Sequence, residues 1–227
     1  MHKLDRTTVT APTCLNDYQY PTHTWDKLDG TCKRALRAAL VQMQGIPGIT
    51  TPDANEYGLR CAYCEAQIRH EGHIEHFRRK NPLLGFPQFT FAWENLFLAC
   101  ESEEHCGHYK DRKWASPYNP DELIKPDQDD PDQFLFFHSS GQVLPREKIS
   151  EKDRRRASET IRVFGLDNPT LEGARHRAVK GYRKMKDADL QEIESWSDAE
   201  REAYLQGEIT ATQWEPYATT IKHFLLA

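Results

Sequence analysis

Long apolar runs are missing from this sequence. No stretch approaches the ~20 consecutive apolar residues of a membrane-spanning helix. The opening residues, MHKLDRTTVTAPTC, have no apolar stretch of the kind a secretory signal carries. The expectation is therefore a cytoplasmic chain with reduced cysteines. An excess of positive charge is also missing: 30 Lys and Arg against 35 Asp and Glu leave a net charge of −5. That excludes a uniformly basic coat for nucleic acid but not local basic patches. No internal repeat and no low-complexity tract is present. With 227 residues the chain can bury a core of its own, so it does not depend on disulfides or metal merely to be globular.

What is present is unevenly placed. Five of the ten histidines (70, 73, 76, 105 and 108) and four of the six cysteines fall between Arg60 and Asp111. The remaining two, Cys14 and Cys32, stand alone and read as small buried residues. Around the dense segment the chain reads as support. Residues 1–24 suggest an extended arm. Cys32, Leu36, Ala39, Leu40 and Met43 recur with helical period, predicting a helix from about Trp25 to Gln44, ended by Gly45 and Pro47. A connector rich in Pro, Gly and Thr follows, from Ile46 to Pro52. Gln133–His138 reads as a strand, Ser139-Ser140-Gly141 as a turn and Val143-Leu144 as the returning strand.

Ser150 with Asp153 marks a helix start, and Gly165 fits the position just past its end. Asn168-Pro169 opens a helix over about 169–190, Ser197 and Glu200 a third, and a last helix near Pro216 reaches the C-terminus. Two basic stretches, Arg78-Arg79-Lys80 and Arg175–Lys186, contrast with the acidic run Asp127–Asp132, which reads as a solvated loop. The second basic stretch reads as an exposed helix face.

Cys61 and Cys64 form a C-x2-C pair; Cys100 and Cys106 form a C-x5-C pair, with 35 residues between the pairs. Four thiolates held tetrahedrally suit a structural zinc, worth on the order of 10 kcal/mol or more to folding. The insert Glu101–Glu104 is expected to bulge outward. Zinc does not account for His73, Glu75 and His76. On a strand, His73, Glu75 and Phe77 would face one side, and Ile74 and His76 the other. A turn or bulge there would bring Glu75 and His76 to one metal. A carboxylate and an imidazole suit Mg²⁺ or Mn²⁺. A histidine left off the metal can deprotonate water near neutral pH. Together these supply metal-assisted phosphodiester hydrolysis.

The order Cys-x2-Cys, Ile74-Glu75-His76, Glu94-Asn95-Leu96, then Cys100 and Cys106-Gly-His-Tyr-Lys resembles the HNH endonuclease motif in its zinc-stapled form. The resemblance implies a ββα-metal fold. It implies Glu75 as a ligand of the catalytic Mg²⁺ or Mn²⁺, His76 as general base, and Asn95 as the residue that orients the loop bearing His76. A closing-helix histidine is then the second ligand, and Cys61, Cys64, Cys100 and Cys106 hold a structural Zn²⁺. Where the motif places that histidine, directly after the last cysteine, this sequence has Gly107. His108 is the candidate ligand in its stead, His105 and Asp111 are fallbacks, and His73 is a further candidate.

More of the chain is similar to the PtuB-like HNH nuclease subunit of Septu and retron anti-phage defence systems. Pro12, Cys14 to Tyr18, the tryptophan-led helix, and Asp153 to Asn168 with Leu171 and Arg175 carry that likeness. It implies an ABC-type ATPase partner (PtuA-like) and, in a retron, a reverse transcriptase with its RNA–DNA hybrid molecule. Arg78, Arg79 and Lys80 are the expected contacts to a nucleic-acid substrate, DNA before RNA.

The expected fold class is α+β, a mainly helical chain around a small zinc-stapled core. Residues 1–55 would form the arm and a helix packed on the core, 56–115 the nuclease core, and 116–227 a hairpin and helical region. Two other functions fit the motif: a free-standing restriction-type HNH nuclease, and a non-catalytic zinc-stapled binding module. The chain shows no separate DNA-reading module, which disfavours the first. Retention of Glu75, His76 and Asn95 together disfavours the second.

Overall fold

Asp29, not Trp25, opens the first long helix. In this computed structural model, which describes residues 1–48, 58–68 and 72–227 apart from the side chains of 183–192 and 194, α1 spans Gly30–Gln44. The Asp29 carboxylate accepts from the Thr31 and Cys32 backbone N–H groups, two donors that a helix start otherwise leaves unpaired. Trp25–Lys27 forms a separate 3-10 turn that ends in extended backbone at Leu28, which corrects the expected start. The predicted stripe is buried: Cys32, Leu36, Ala39, Leu40 and Met43 all face inward.

Cys14 and Cys32 are joined as a disulfide, with Cα atoms 5.8 Å apart, which corrects their reading as separate thiols. An 18-residue separation matches no motif; tertiary packing of the arm on α1 brings the two together. His70 and the connector beyond residue 48 lie outside the described residues.

The central segment builds a two-stranded antiparallel ribbon and a short helix. Strand β1 (His73–His76) pairs with β2 (Leu96–Ala99) in the register His73↔Ala99, Ile74↔Leu98, Glu75↔Phe97 and His76↔Leu96. All of β2 is buried. Helix α2 (Cys106–Asp111) follows. The C-x2-C pair sits in a tight knuckle: Cys61 N–H donates to Ala66, Glu65 N–H donates to Cys61, and Arg60 bridges Gln67. Helix α1 docks on β2 through Gln44. Its amide donates to the carbonyls of Arg60 and Leu98 at 3.1 and 3.0 Å and accepts from Leu98 N–H at 2.7 Å. A buried side chain thus satisfies strand-edge groups that would otherwise cost free energy.

The second hairpin, β3 (Leu135–Phe137) and β4 (Val143–Pro145), falls where alternation and turn residues place it. Gly141 takes a φ of +96° in its turn, a conformation glycine adopts without steric cost. Helices α3 (Glu151–Phe164), α4 (Pro169–Glu194), α5 (Asp198–Thr212) and α6 (Ala218–Leu225) complete the chain. Ser150 caps α3, Gly165 ends it at φ +57°, and Ser197 with Glu200 forms a reciprocal capping box on α5. Tyr63 stacks on Phe164 at 4.0 Å, tying the cysteine knuckle to α3. One hydrophobic cluster runs from Met1 through Phe97 to Leu171. The molecule is α+β, and no helix among the described residues is long and apolar enough to cross a membrane.

Two charged stretches differ from expectation. The acidic run Asp127–Asp132 is a set of braces rather than a solvated loop. Asp127 pairs with Arg6 and Lys125, Asp129 with Arg156, and Asp132 with Arg146, Lys222 and His223. Every partner except Lys125 is remote in sequence, so local charge reading could not find them. At the start of the basic stretch, Arg175 is fully buried. It donates to the carbonyls of Leu166 and Gly141 at 2.7 and 3.2 Å and lies over the Phe137 ring. His176, Arg177 and Lys180 are exposed as expected, while the side chains of 183–186 lie outside the described residues.

Candidate metal centre and candidate active site

The four paired cysteines converge. Their Sγ atoms all lie within 4.8 Å of one another, and among the described residues they form the one such group of potential metal ligands. Cys61 and Cys106 stand 3.7 Å apart, Cys64 and Cys100 3.8 Å. Four thiolates at ~2.3 Å from a tetrahedral zinc are about 3.8 Å apart along each edge. The donor set therefore fits zinc in identity, number and spacing. Burial pushes the Cys64 and Cys106 thiols well above their usual range. It pushes Cys61 the same way, but hydrogen bonds from its three neighbours outweigh it and hold Cys61 well below. A divalent cation would let all four ionise.

Cys106 reaches the cluster from a left-handed backbone position at φ +65° that opens α2. His105 belongs to this centre, with Nδ1 3.3 Å from Cys106 Sγ and 3.7 Å from Cys100 Sγ. It is buried against sulfur, which removes it from the fallback ligands of a separate catalytic metal. The acidic insert Glu101–Glu104 is largely exposed, as its composition implies.

The second cluster adjoins the first on the same ribbon and helix, since His73 pairs with Ala99 beside Cys100. Strand β1 is regular, so Glu75 and His76 diverge to its two faces; the bulge that would have joined them at one metal is not formed. Glu75 is buried. Its Oε2 is 3.1 Å from His73 Nε2. Its Oε1 is 2.9 Å from Lys110 Nζ, at an angle that leaves Oε1 without a hydrogen bond. Burial alone would raise the Glu75 carboxyl, but the Lys110 ammonium and His73 bring it down to about 2. Lys110, itself buried, also donates to the His76 carbonyl at 3.0 Å and pairs with Asp111 at 2.5 Å. Burial opposes its charge, yet Glu75 and Asp111 raise its pKa above the ordinary lysine value.

Gly107 accounts for this geometry. A Cβ on Gly107 would lie 2.3 Å from Glu75 Oε2 and 2.7 Å from His73 Nε2. The place where a closing-helix side chain would stand is filled by the carboxylate and by His73. His108 lies behind, its ring stacked on His73 at 4.1 Å and 25°. The imidazole that touches Glu75 is thus His73, from the same strand. His73 Nδ1 and Glu75 Oε1 are buried with no hydrogen-bond partner, so two ligand atoms retain unused lone pairs. His108 joins this cluster through its stacking on His73, and the ligand atoms of His73, Glu75 and His108 do not all converge within 4.8 Å as the four sulfurs do.

On the opposite face His76 is held by Thr90, whose carbonyl lies 3.1 Å from Nε2. A carbonyl only accepts, so Nε2 carries the proton and Nδ1 is the basic nitrogen. The Trp25 ring packs edge-to-face on His76 at 4.4 Å, and the imidazole is buried. Burial and the nearby Lys80 charge lower its pKa to about 3. Asn95 clamps the chain just after His76. Its side chain accepts from Arg78 N–H at 2.7 Å and donates to the carbonyls of Arg78 and Phe89, each at 3.0 Å. Its carbonyl accepts from Phe77 N–H at 2.9 Å.

Of the three expected phosphate contacts, Arg79 is corrected. It is buried and donates to the Lys110 carbonyl. Arg78 is half-buried and pairs with Asp121 at 2.7 Å, and Lys80 is half-buried. Sequence reasoning missed Lys110 as the partner of Glu75, and Trp25 and Thr90 as the holders of His76. Lys110 carried a signal in its fixed spacing from Cys106; the other two carried none.

Comparison with protein-family models and with curated proteins found no match for this chain.

Proposed function

We propose that this chain is a metal-dependent HNH-type endonuclease that hydrolyses phosphodiester bonds of nucleic acid, DNA first. We further propose that it serves as the effector of an anti-phage defence complex with an ABC-type ATPase, as in Septu or retron systems. The observation that carries the reading is the antiparallel ribbon followed by a short helix, with Glu75 and His76 on one strand and Asn95 clamping the backbone between Phe77 and Arg78. The four-cysteine centre supports it by pinning both ends of that unit.

Glu75, with His73 and His108, would hold a Mg²⁺ or Mn²⁺ ion. That ion supplies neutralisation of charge developing on the phosphate. The chain's own residues do the rest. Thr90 fixes the His76 tautomer, so Nδ1 takes the proton from the attacking water. The water oxygen bonds to phosphorus, the bond to the leaving sugar oxygen breaks, that oxygen takes a proton from solvent water, and His76 gives its own back to solvent. Asn95 keeps the His76 loop in register with Glu75. Lys80 and Arg78, next in the chain after this site, would contact the phosphate backbone.

The test is cleavage of supercoiled plasmid with Mg²⁺ or Mn²⁺, with and without whatever ATPase co-purifies. His76→Ala is expected to cut ~10²–10⁴-fold more slowly with its zinc content unchanged. Undiminished cutting by His76→Ala removes this mechanism. One observation favours a second reading, a zinc-stapled binding module: Glu75 is already paired with Lys110 and His73, and His76 lies under Trp25. Absence of cutting by the wild type, even with its partner, would select that reading.

A further inference from the structure

A cavity of about 610 Å³ opens beside the His76 face. Three features connect it to the candidate site. Thr90 and Trp25, the two residues that hold His76, form part of its wall. Asp111 lines it as well, joined to Glu75 through Lys110. Its charge is the reverse of the whole protein's. Arg79, Lys80, Arg112 and Lys113 line it against Asp26 and Asp111, although the chain carries a net −5. Asp111 is already neutralised by Lys110 and Arg79, so the lining is basic on balance.

The rim is apolar in an unusual way. Trp114, next in the chain to Lys113, is 82% exposed. The Lys113 ammonium sits 5.0 Å from its ring centre. Leu84 also lines the cavity, and Leu83 and Leu84 are 91% and 74% exposed. This display is fixed in place: the Asn81 side chain accepts from the N–H groups of Leu83 and Leu84 at 2.8 and 2.9 Å. Isolated exposed leucines need no explanation, but two exposed leucines and a tryptophan that are, or directly adjoin, lining residues of one basic cavity do.

Resting on the nuclease reading above, we propose that this cavity takes an unpaired stretch of nucleic acid, with a base stacked on Trp114 and phosphates held by Lys80, Arg112 and Lys113. The combination matches what single strands require: aromatic faces for bases and cations for the backbone. A cavity of this volume holds about one or two nucleotides. A base still stacked in a duplex cannot enter it without being extruded. Leu83 and Leu84 fit the apolar side chains that wedge between base steps and favour such unstacking. The substrate class is therefore a single strand, a loop or a locally opened duplex. The site chemistry is shared by DNA and RNA.

Fluorescence anisotropy in buffer with no added divalent metal tests this. The probes are a labelled DNA strand of roughly 12 nucleotides, the RNA strand of the same sequence, and the blunt DNA duplex. At least one of the single strands is expected to bind about tenfold or more tightly than the duplex. The tighter of the two identifies the sugar. Trp114→Ala is expected to lose roughly tenfold on that strand, and Trp114→Phe to retain most of the affinity. Because Trp114 is exposed, its zinc content and Tm should match the wild type. Equal or tighter binding of the duplex overturns the proposal, and so does unchanged strand binding by Trp114→Ala. The two readings fail separately. Strand binding through Trp114 without any cleavage by the wild type sinks the nuclease reading alone. Plasmid cutting with no preference for unpaired strands sinks this inference alone.

Discussion

The two clusters built from the segment between Arg60 and Asp111 are organised on opposite principles. In one, four like ligands crowd together, Sγ to Sγ at 3.7 and 3.8 Å in two pairs, a set that a divalent cation would balance. In the other, Glu75 is balanced from within, by Lys110 on one oxygen and His73 on the other. The first arrangement is closed and structural. The second keeps two buried lone pairs, on His73 Nδ1 and Glu75 Oε1, unused. The tetrad can therefore hold a metal such as zinc in a closed site, whereas the charge of Glu75 is balanced by the chain's own residues. The ribbon β1–β2 and helix α2 couple them, because Cys106 and Lys110 lie on the same short helix.

The largest expected effect breaks the closed cluster. Chelation, or Cys61→Ser, should remove on the order of 10 kcal/mol or more from the segment and unfold the ribbon. Metal analysis would show loss of about one zinc per chain alongside loss of helical circular dichroism. A protein that keeps its fold and Tm without zinc would reverse the contrast between the two clusters.

A smaller effect should appear at the Glu75 cluster. In Gly107→Ala the new methyl would meet the Glu75 carboxylate and His73 at under 3 Å. Displacing Glu75 by about 1 Å is expected to lower cleavage roughly 10²-fold with zinc content unchanged. Normal cleavage by this variant would mean that Glu75 does not need its present position. Asn95→Ala removes three hydrogen bonds to the chain after His76. It is expected to cost about 2–4 kcal/mol in stability, since buried backbone groups lose their partner, and to reduce cleavage with it.

Asp132 gives the smallest effect and a control, a charge cluster with no metal in prospect. Burial would raise its carboxyl, but hydrogen bonds from His223 and Lys222 hold it far below the usual carboxylate range. A depressed folded pKa means that the stabilisation is complete above the unfolded value near 3.9 and disappears as pH falls through the folded one. Asp132→Asn should therefore cost about 2 kcal/mol at neutral pH, or roughly 4–8 °C in Tm. The gap to the wild type should close as the pH drops below ~4. A gap that persists in acid would show that packing, not charge, joins α6 to the hairpin.

Local signals were legible wherever the physics is local. Ser150, Gly165, Ser197 and Glu200 each act on backbone groups within one helical turn, and each does so in the structure. The α1 stripe was equally readable, yet its start was misplaced, because Asp29 competes with Trp25 through a cap that periodicity does not register. The site was half legible. The cysteine spacing announced a tetrad, and Glu75, His76 and Asn95 were marked by their order. What those residues touch was not, because Lys110, Thr90 and Trp25 reach them across 14 to 51 positions of chain.

By itself, the sequence determined the caps, the periodic faces, the hairpin β3–β4 and the set of metal-capable side chains, since each depends on neighbours along the chain. Only the tertiary structure decided that Gly107 makes room for His73 against Glu75, that Cys14 and Cys32 meet, and that Arg175 and Asp127 turn inward. Those outcomes depend on which distant surfaces come within 4 Å of each other. Packing settles that through burial and charge balance over the whole molecule.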